Sequence, residues 1–297
     1  MQLLKSIVGA FSLLALAVAV GAPAAGGDHP VPHHDVRFHS QGVTLRGTLF
    51  IPEHMPVIAA AVWVDGAGKK ARNSSLAQWF AKHGIALLTY NKRGVGGSGG
   101  VYVGPEVGTN NVSRENLALL AHDAAAALRV LRTKWRLNGV PRGFIGGSQA
   151  GWIVPPAAGE EREARFMVLW SGAVETTHED LLFEQVALAD SDFWNHHSHA
   201  QVKEMMSGVA DNPAWANFDP RVALSNLSIP GLWMFGGRDR NVYVDVSIAR
   251  LTELISAGHP DYSYRLFPEY NHSLNGDGED VFDLSVAWIN QQVGRTR

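Results

Sequence analysis

"GFIGGSQAGWIVPPAAG", Gly143 to Gly159, sets one serine between glycine-rich flanks, after an apolar run and before a helical pattern. A strand that turns into a helix through Gly-x-Ser-x-small must turn sharply. The residues flanking the serine have to be small for the two elements to approach, and the hydroxyl is then presented above the sheet edge. Here the pattern is Gly146-Gly147-Ser148-Gln149-Ala150-Gly151. With 31 glycines in the chain, Gly-x-Ser also arises by chance, so this stretch alone leaves Ser148 open between a nucleophile and a turn residue.

Outward from it the chain alternates. "VRFHSQGVTLRGTLFIP" shows apolar alternation around Gly42, the pattern of an antiparallel hairpin at a sheet edge. "VIAAAVWVDGAG", "GIALLTYNKRG", "VPRGFIGGS", "ARFMVLWSG", "IPGLWMFGGRD" and "YSYRLFPEYNH" are short apolar runs ending in Gly or polar residues, as strands covered on both faces are. Helical patterns lie between them, beginning near Ser75, Glu115, Ser148, Val244 and Gly278. Alternating strands and helices predict an α/β fold, a mostly parallel central sheet with helices on both faces. From about 174 to 227 the rhythm breaks: helical stretches rich in Trp, Met and His, with no strand candidate, read as an inserted cap.

The 297 residues, 46% of them apolar, suffice for a large core. The 25 basic and 28 acidic residues are well mixed, which points away from nucleic acid and polybasic membrane contacts and toward a small or neutral ligand. Residues 1–24 read as a signal peptide: Lys5, an apolar run from Ile7 to Val20, then Ala22-Pro23-Ala24 as a cleavage site. That run of about 14 residues is short for a membrane span of roughly 20, so no stable span is expected after cleavage and the protein is expected in the periplasm or secreted. Residues 25–35 read as a linker and 36–297 as the domain. Without cysteine there is no disulfide framework and no thiolate chemistry.

A serine hydroxyl attacks only when a base takes its proton and an acid orients that base. Asp239 closes the run "GLWMFGGRD", with Asp245 in reserve, and His272 follows the last strand candidate. The order Ser148, Asp239, His272 is the one a nucleophile elbow of this kind requires. Two backbone N–H groups should face the reacting oxygen, one from Gln149 and one from Ala67 in "VWVDGAGKKARN", where Gly66 permits a tight turn.

Together the motifs "DGAGKKARN", "YNKRGVGGSGG" and "GGSQAGW", in that order, resemble the α/β-hydrolase superfamily, and within it the bacterial esterase and serine-aminopeptidase-like branch. The resemblance runs from about Val36 to the C-terminus. It implies an α/β-hydrolase fold with a cap and a cofactor-free serine hydrolase cleaving carboxylic esters, with Ser148 as nucleophile, His272 as base and Asp239 as its orienting acid. An aminopeptidase-like or thioesterase activity is the nearest alternative, with Glu175, Glu179, Asp180 or Glu184 available to grip a free amino group. A non-catalytic binding protein on the same scaffold is another.

Three positions depart from the family pattern: Asp65 replaces His, Asn91 replaces Asp and Ala150 replaces Gly. Ala150 adds only a methyl. Asn91 removes a charge that could pair with Arg93. A carboxylate at Asp65 opposes an anionic intermediate unless it is turned away or paired, and Lys69, Lys70 and Arg72 are near in sequence. Trp152, Trp194 and Trp215 are candidate walls of an apolar substrate pocket. His196, His197 and His199 lack an acidic partner at obvious spacing and read as a solvated face, so no metal is expected. Neither "DGAGKK" nor "RGVGGSGG" has the spacing or context of a nucleotide loop.

Overall fold

The computed structural model describes residues 31–104, 112–132, 137–209, 217–259, 261–275, 278 and 280–295. The expected signal peptide and the first part of the linker lie outside them. Eight strands run β1 (His33–Ser40), β2 (Val43–Phe50), β3 (Ala59–Val64), β4 (Ile85–Tyr90), β5 (Arg142–Gly147), β6 (Ala164–Trp170), β7 (Gly231–Gly236) and β8 (Tyr262–Phe267). Helices α1 (Ser74–Lys82), α2 (Arg114–Arg132), α3 (Ala150–Glu160), α8 (Val244–Ser256) and α9 (Val281–Arg295) separate or follow them. Between β6 and β7 come α4 (Thr177–Ala187), α5 (Phe193–His196), α6 (His199–Ser207) and α7 (Arg221–Leu224), the expected cap.

The sheet order is β1-β2-β4-β3-β5-β6-β7-β8, antiparallel at β1-β2-β4 and parallel from there to β8. β1 and β2 turn through Gln41 and Gly42, both at positive φ (46° and 76°), the backbone of a two-residue hairpin whose twist matches its strands. β1 begins at His33, inside the stretch read as linker. Its first residues are polar and exposed, so hydrophobic alternation could not reveal them.

β3, β4 and β7 are buried along their whole length, because alternate residues feed two cores. Val62, Leu88, Phe144 and Phe235 pack with α2, α3 and α8 on one face. Ala61, Leu87, Ile145 and Met234 pack with α1 and α9 on the other. Each fully buried Leu, Ile or Phe contributes about 1.5–3 kcal/mol, which is why continuous apolar runs end up in the middle of the sheet. The cap has its own small core, in which Phe183 stacks on Tyr243 at the head of α8, with ring centroids 4.8 Å apart and planes 4° apart. Two of its helices, α4 and α6, start on reciprocal capping boxes, Thr176 with Glu179 and Ser198 with Gln201.

Candidate active site

The turn from β5 to α3 holds Ser148 at φ 57°, a left-handed conformation that costs an L-residue about 1–2 kcal/mol. The surroundings enforce it. Ser148 N–H donates to Trp170 O (2.9 Å), and Gly151 N–H donates back to Ser148 O (2.9 Å). A Cβ on Gly146 would lie 2.6 Å from Ala150 Cβ and 2.7 Å from Val64 O. Ala150 is thus accommodated in place of Gly because Gly146 has no side chain.

Asp239, fully buried, sits just past β7. Its Oδ1 accepts from the N–H groups of Asn241 (2.7 Å) and Val242 (3.1 Å), leaving Oδ2 for His272 Nδ1 at 2.8 Å. Ser171 Oγ donates to His272 O (2.9 Å), and Trp194 Nε1 donates to Asp239 O (2.7 Å). Burial pushes the His272 pKa down, but the hydrogen bond and charge of Asp239, with Glu184 and Glu175 behind, raise it overall. Asp245 is not part of this arrangement; it pairs with His199 Nδ1 at 2.8 Å.

Ser148 and His272 line one cavity of about 380 Å³, and so do Ala67 and Gln149. The loop after β3 comes so close that a Cβ on Gly66 would lie 3.0 Å from Ser148 Cβ. Trp152 lines the cavity, with Nε1 bonded to Glu175 O (2.9 Å). Trp194, expected as a pocket wall, does not line the cavity: it packs against Phe183, Phe193 and His199 in the cap, and its Nε1 bonds to the Asp239 main chain. Trp63 and Trp170, ring centroids 5.4 Å apart, form aromatic wall instead. Trp215 lies outside the described residues.

Asp65 also lines the cavity. Trp63 Nε1 donates to its Oδ1 (2.8 Å). Burial raises its pKa, while that hydrogen bond and the charges of Lys92 and Lys70 pull it down. Of the cations expected beside it, only Lys70 acts there. Arg72 binds Asp35 (3.0 Å) and Thr48 (2.6 Å), and Lys69 lies 5.7 Å from the Tyr102 ring centre. The missed residue is Lys92, whose Nζ donates to Gly66 O and to Gln149 Oε1 (3.1 Å). It stood in the quoted "YNKRG" motif, but nothing in the sequence tied it to the loop at Gly66. Asn91 braces this loop, accepting from Arg72 N–H (2.9 Å) and donating to Gly96 O (2.6 Å). Arg93 pairs with buried Asp123 through bonds of 2.6 and 3.1 Å.

Of the four cap carboxylates, Asp180 and Glu184 line the cavity. Glu175 is tied to Tyr243 N–H (3.1 Å) and Ser247, and Glu179 to Arg250. The His-rich cap segment does have acidic partners: His196 meets Asp190 at 2.6 Å, and His199 meets Asp245 from α8. Each partner is a separate carboxylate, and no three-residue metal-ligating group occurs among the described residues.

No protein-family model and no curated protein matches the chain in sequence. Solved structures do match in shape. An esterase of Pyrococcus furiosus superposes with a TM-score of 0.62 at 15% identity, over 93% of this chain and 97% of its own. The 2,6-dihydroxy-pseudo-oxynicotine hydrolase gives 0.62 at 14%, over 90% and 69%. An acylaminoacyl peptidase of Pyrococcus horikoshii gives 0.56 at 17%, over 82% and 38%. The chain has the α/β-hydrolase fold, with a helical cap inserted between β6 and β7.

Proposed function

We propose that the protein is a serine hydrolase that cleaves carboxylic esters through an acyl-enzyme. The observation that carries this is the strained Ser148 on the wall of the cavity that His272 also lines, with His272 held by Asp239. With Nδ1–H engaged by Asp239, Nε2 of His272 is the free base. It takes the Ser148 proton as Oγ bonds to the carbonyl carbon. The negative charge passes to the carbonyl oxygen, facing the N–H groups of Ala67 and Gln149 at the head of α3. Collapse breaks the bond to the alcohol, which leaves with the proton from His272. A water, deprotonated by the same nitrogen, then attacks the acyl-serine and releases the acid.

The test is turnover of p-nitrophenyl esters by the wild type and by Ser148→Ala, with fluorophosphonate labelling of Ser148. Loss of both in the variant, and a burst of p-nitrophenol in the wild type, is expected. Full turnover by Ser148→Ala rules the reading out.

A second reading is favoured by Asp180 and Glu184: a substrate with a free ammonium group near the scissile bond. Asp180 is 6% exposed and its Oδ1 has no partner. Aminoacyl esters or amides hydrolysed faster than their N-acetyl counterparts, with the preference lost in Asp180→Asn, would support it; equal rates would refute it. We further propose that residues 1–24 direct export and are removed after Ala24, which N-terminal sequencing of the protein from its source checks.

A further inference from the structure

Lys92 carries an ammonium in a place that burial makes costly, 5% exposed beneath the loop that follows β3. It spends its hydrogen bonds on Gly66 O and Gln149 Oε1, groups 26 and 57 residues away in the chain. Those two contacts touch both arms of the oxyanion site. Gly66 O belongs to the same peptide unit as Ala67 N–H, and no peptide bond described is cis. In a trans peptide the carbonyl and the N–H point to opposite sides. An ammonium drawing the Gly66 carbonyl down therefore turns Ala67 N–H up, and a charge-assisted bond on the oxygen also polarises the N–H. On the other arm, the same ammonium holds the Gln149 side chain through its Oε1.

We propose that Lys92 is a positioning residue of the oxyanion hole, fixing the Gly66–Ala67 peptide and Gln149 so that their two N–H groups meet the developing oxyanion. The inference rests on the ester-hydrolase reading. It also accounts for Asp65: the carboxylate that replaces the family's histidine stands beside a buried cation, so its charge does not bear unbalanced on the reaction.

The charged groups around Lys92 are Asp65 and Lys70 from the loop after β3. Arg93, next in the chain, is occupied by Asp123 of α2. Burial lowers the Lys92 pKa to about 8, with Asp65 opposing and Lys70 reinforcing the drop. The ammonium is therefore present below that pH and lost as pH rises through it.

The experiment measures kcat and KM for p-nitrophenyl butyrate from about pH 6 to pH 10, the range that spans the base and Lys92. Lys92→Met lowers kcat about 10–100-fold, a part of what losing an oxyanion donor costs, with KM little changed. In the wild type kcat falls above about pH 8. Lys92→Arg, which stays charged beyond pH of about 12, recovers most of kcat and lacks the alkaline fall. Asp65→Asn, which leaves Lys92 in place, moves that fall to lower pH because the charge supporting the ammonium is gone. A Lys92→Met enzyme with wild-type kcat overturns the proposal. So does an alkaline fall that persists in Lys92→Arg or does not move in Asp65→Asn. These outcomes differ from failure of the ester reading, in which the wild type itself turns over no ester and Ser148 is not labelled.

Discussion

His272 Nδ1 lies 2.8 Å from Asp239 Oδ2, and the other carboxylate oxygen is already filled by two backbone N–H groups. Asp239 therefore has one oxygen left over from its own loop, and it is directed at His272.

This makes Asp239→Asn a change of tautomer more than of shape. The amide can still accept from the two loop N–H groups, but its NH2 faces His272 and favours the form with the proton on Nε2. On the ester-hydrolase proposal, turnover should fall about 10³–10⁴-fold with little change in melting temperature. The pH profile carries a second signature. Asp239 helps raise the His272 pKa, and only the neutral imidazole is a base, so wild-type kcat/KM falls as pH drops through that raised value. In Asp239→Asn the residual activity should persist to lower pH. An unmoved acid limb in the variant would assign that limb to another group.

Ser148 trades stability for position. Its φ of 57° suits glycine, so Ser148→Gly should be about 1 kcal/mol more stable than Ser148→Ala, which keeps the Cβ in the same backbone. Urea denaturation of the two variants checks this. Equal midpoints would mean that the turn relaxes once the hydroxyl is gone.

Gly146→Ala should destabilise the protein by about 1–3 kcal/mol, since its Cβ meets Ala150 Cβ at 2.6 Å and Val64 O at 2.7 Å. Adding Ala150→Gly relieves the first clash and leaves the second, which is backbone. Partial recovery in the double variant, measured as a thermodynamic cycle, is the expected result; strict additivity would show that the two sites do not touch.

The central strands could be read from the chain because a strand covered on both sides has no polar face to interrupt it, β3, β4 and β7 being the clearest cases, while β1 and β2 showed as alternation around Gly42. The positions of Ser148, Asp239 and His272 were legible for a related reason: each lies within a few residues of the end of a strand candidate, so sequence position and sheet edge coincide. What escaped was set by distant partners. Lys92 looks like any loop lysine until Gly66 and Gln149 are brought within reach of its ammonium. His199 finds Asp245 only because α6 comes to lie near the start of α8. Trp194 looked like pocket wall because large aromatics in a cap often are, but its indole N–H found the carbonyl of Asp239. The start of β1 was hidden because His33, His34 and Asp35 are polar and exposed, which breaks the apolar alternation.

The hydrogen bond from Trp194 to the Asp239 main chain limits how freely the cap can be exchanged. A chimera that swaps residues 177–207 for another cap also removes the clamp on the loop that carries Asp239. Grafts that keep Trp194, together with Phe183 stacked on Tyr243, preserve that clamp. Modularity in this molecule ends at one indole ring.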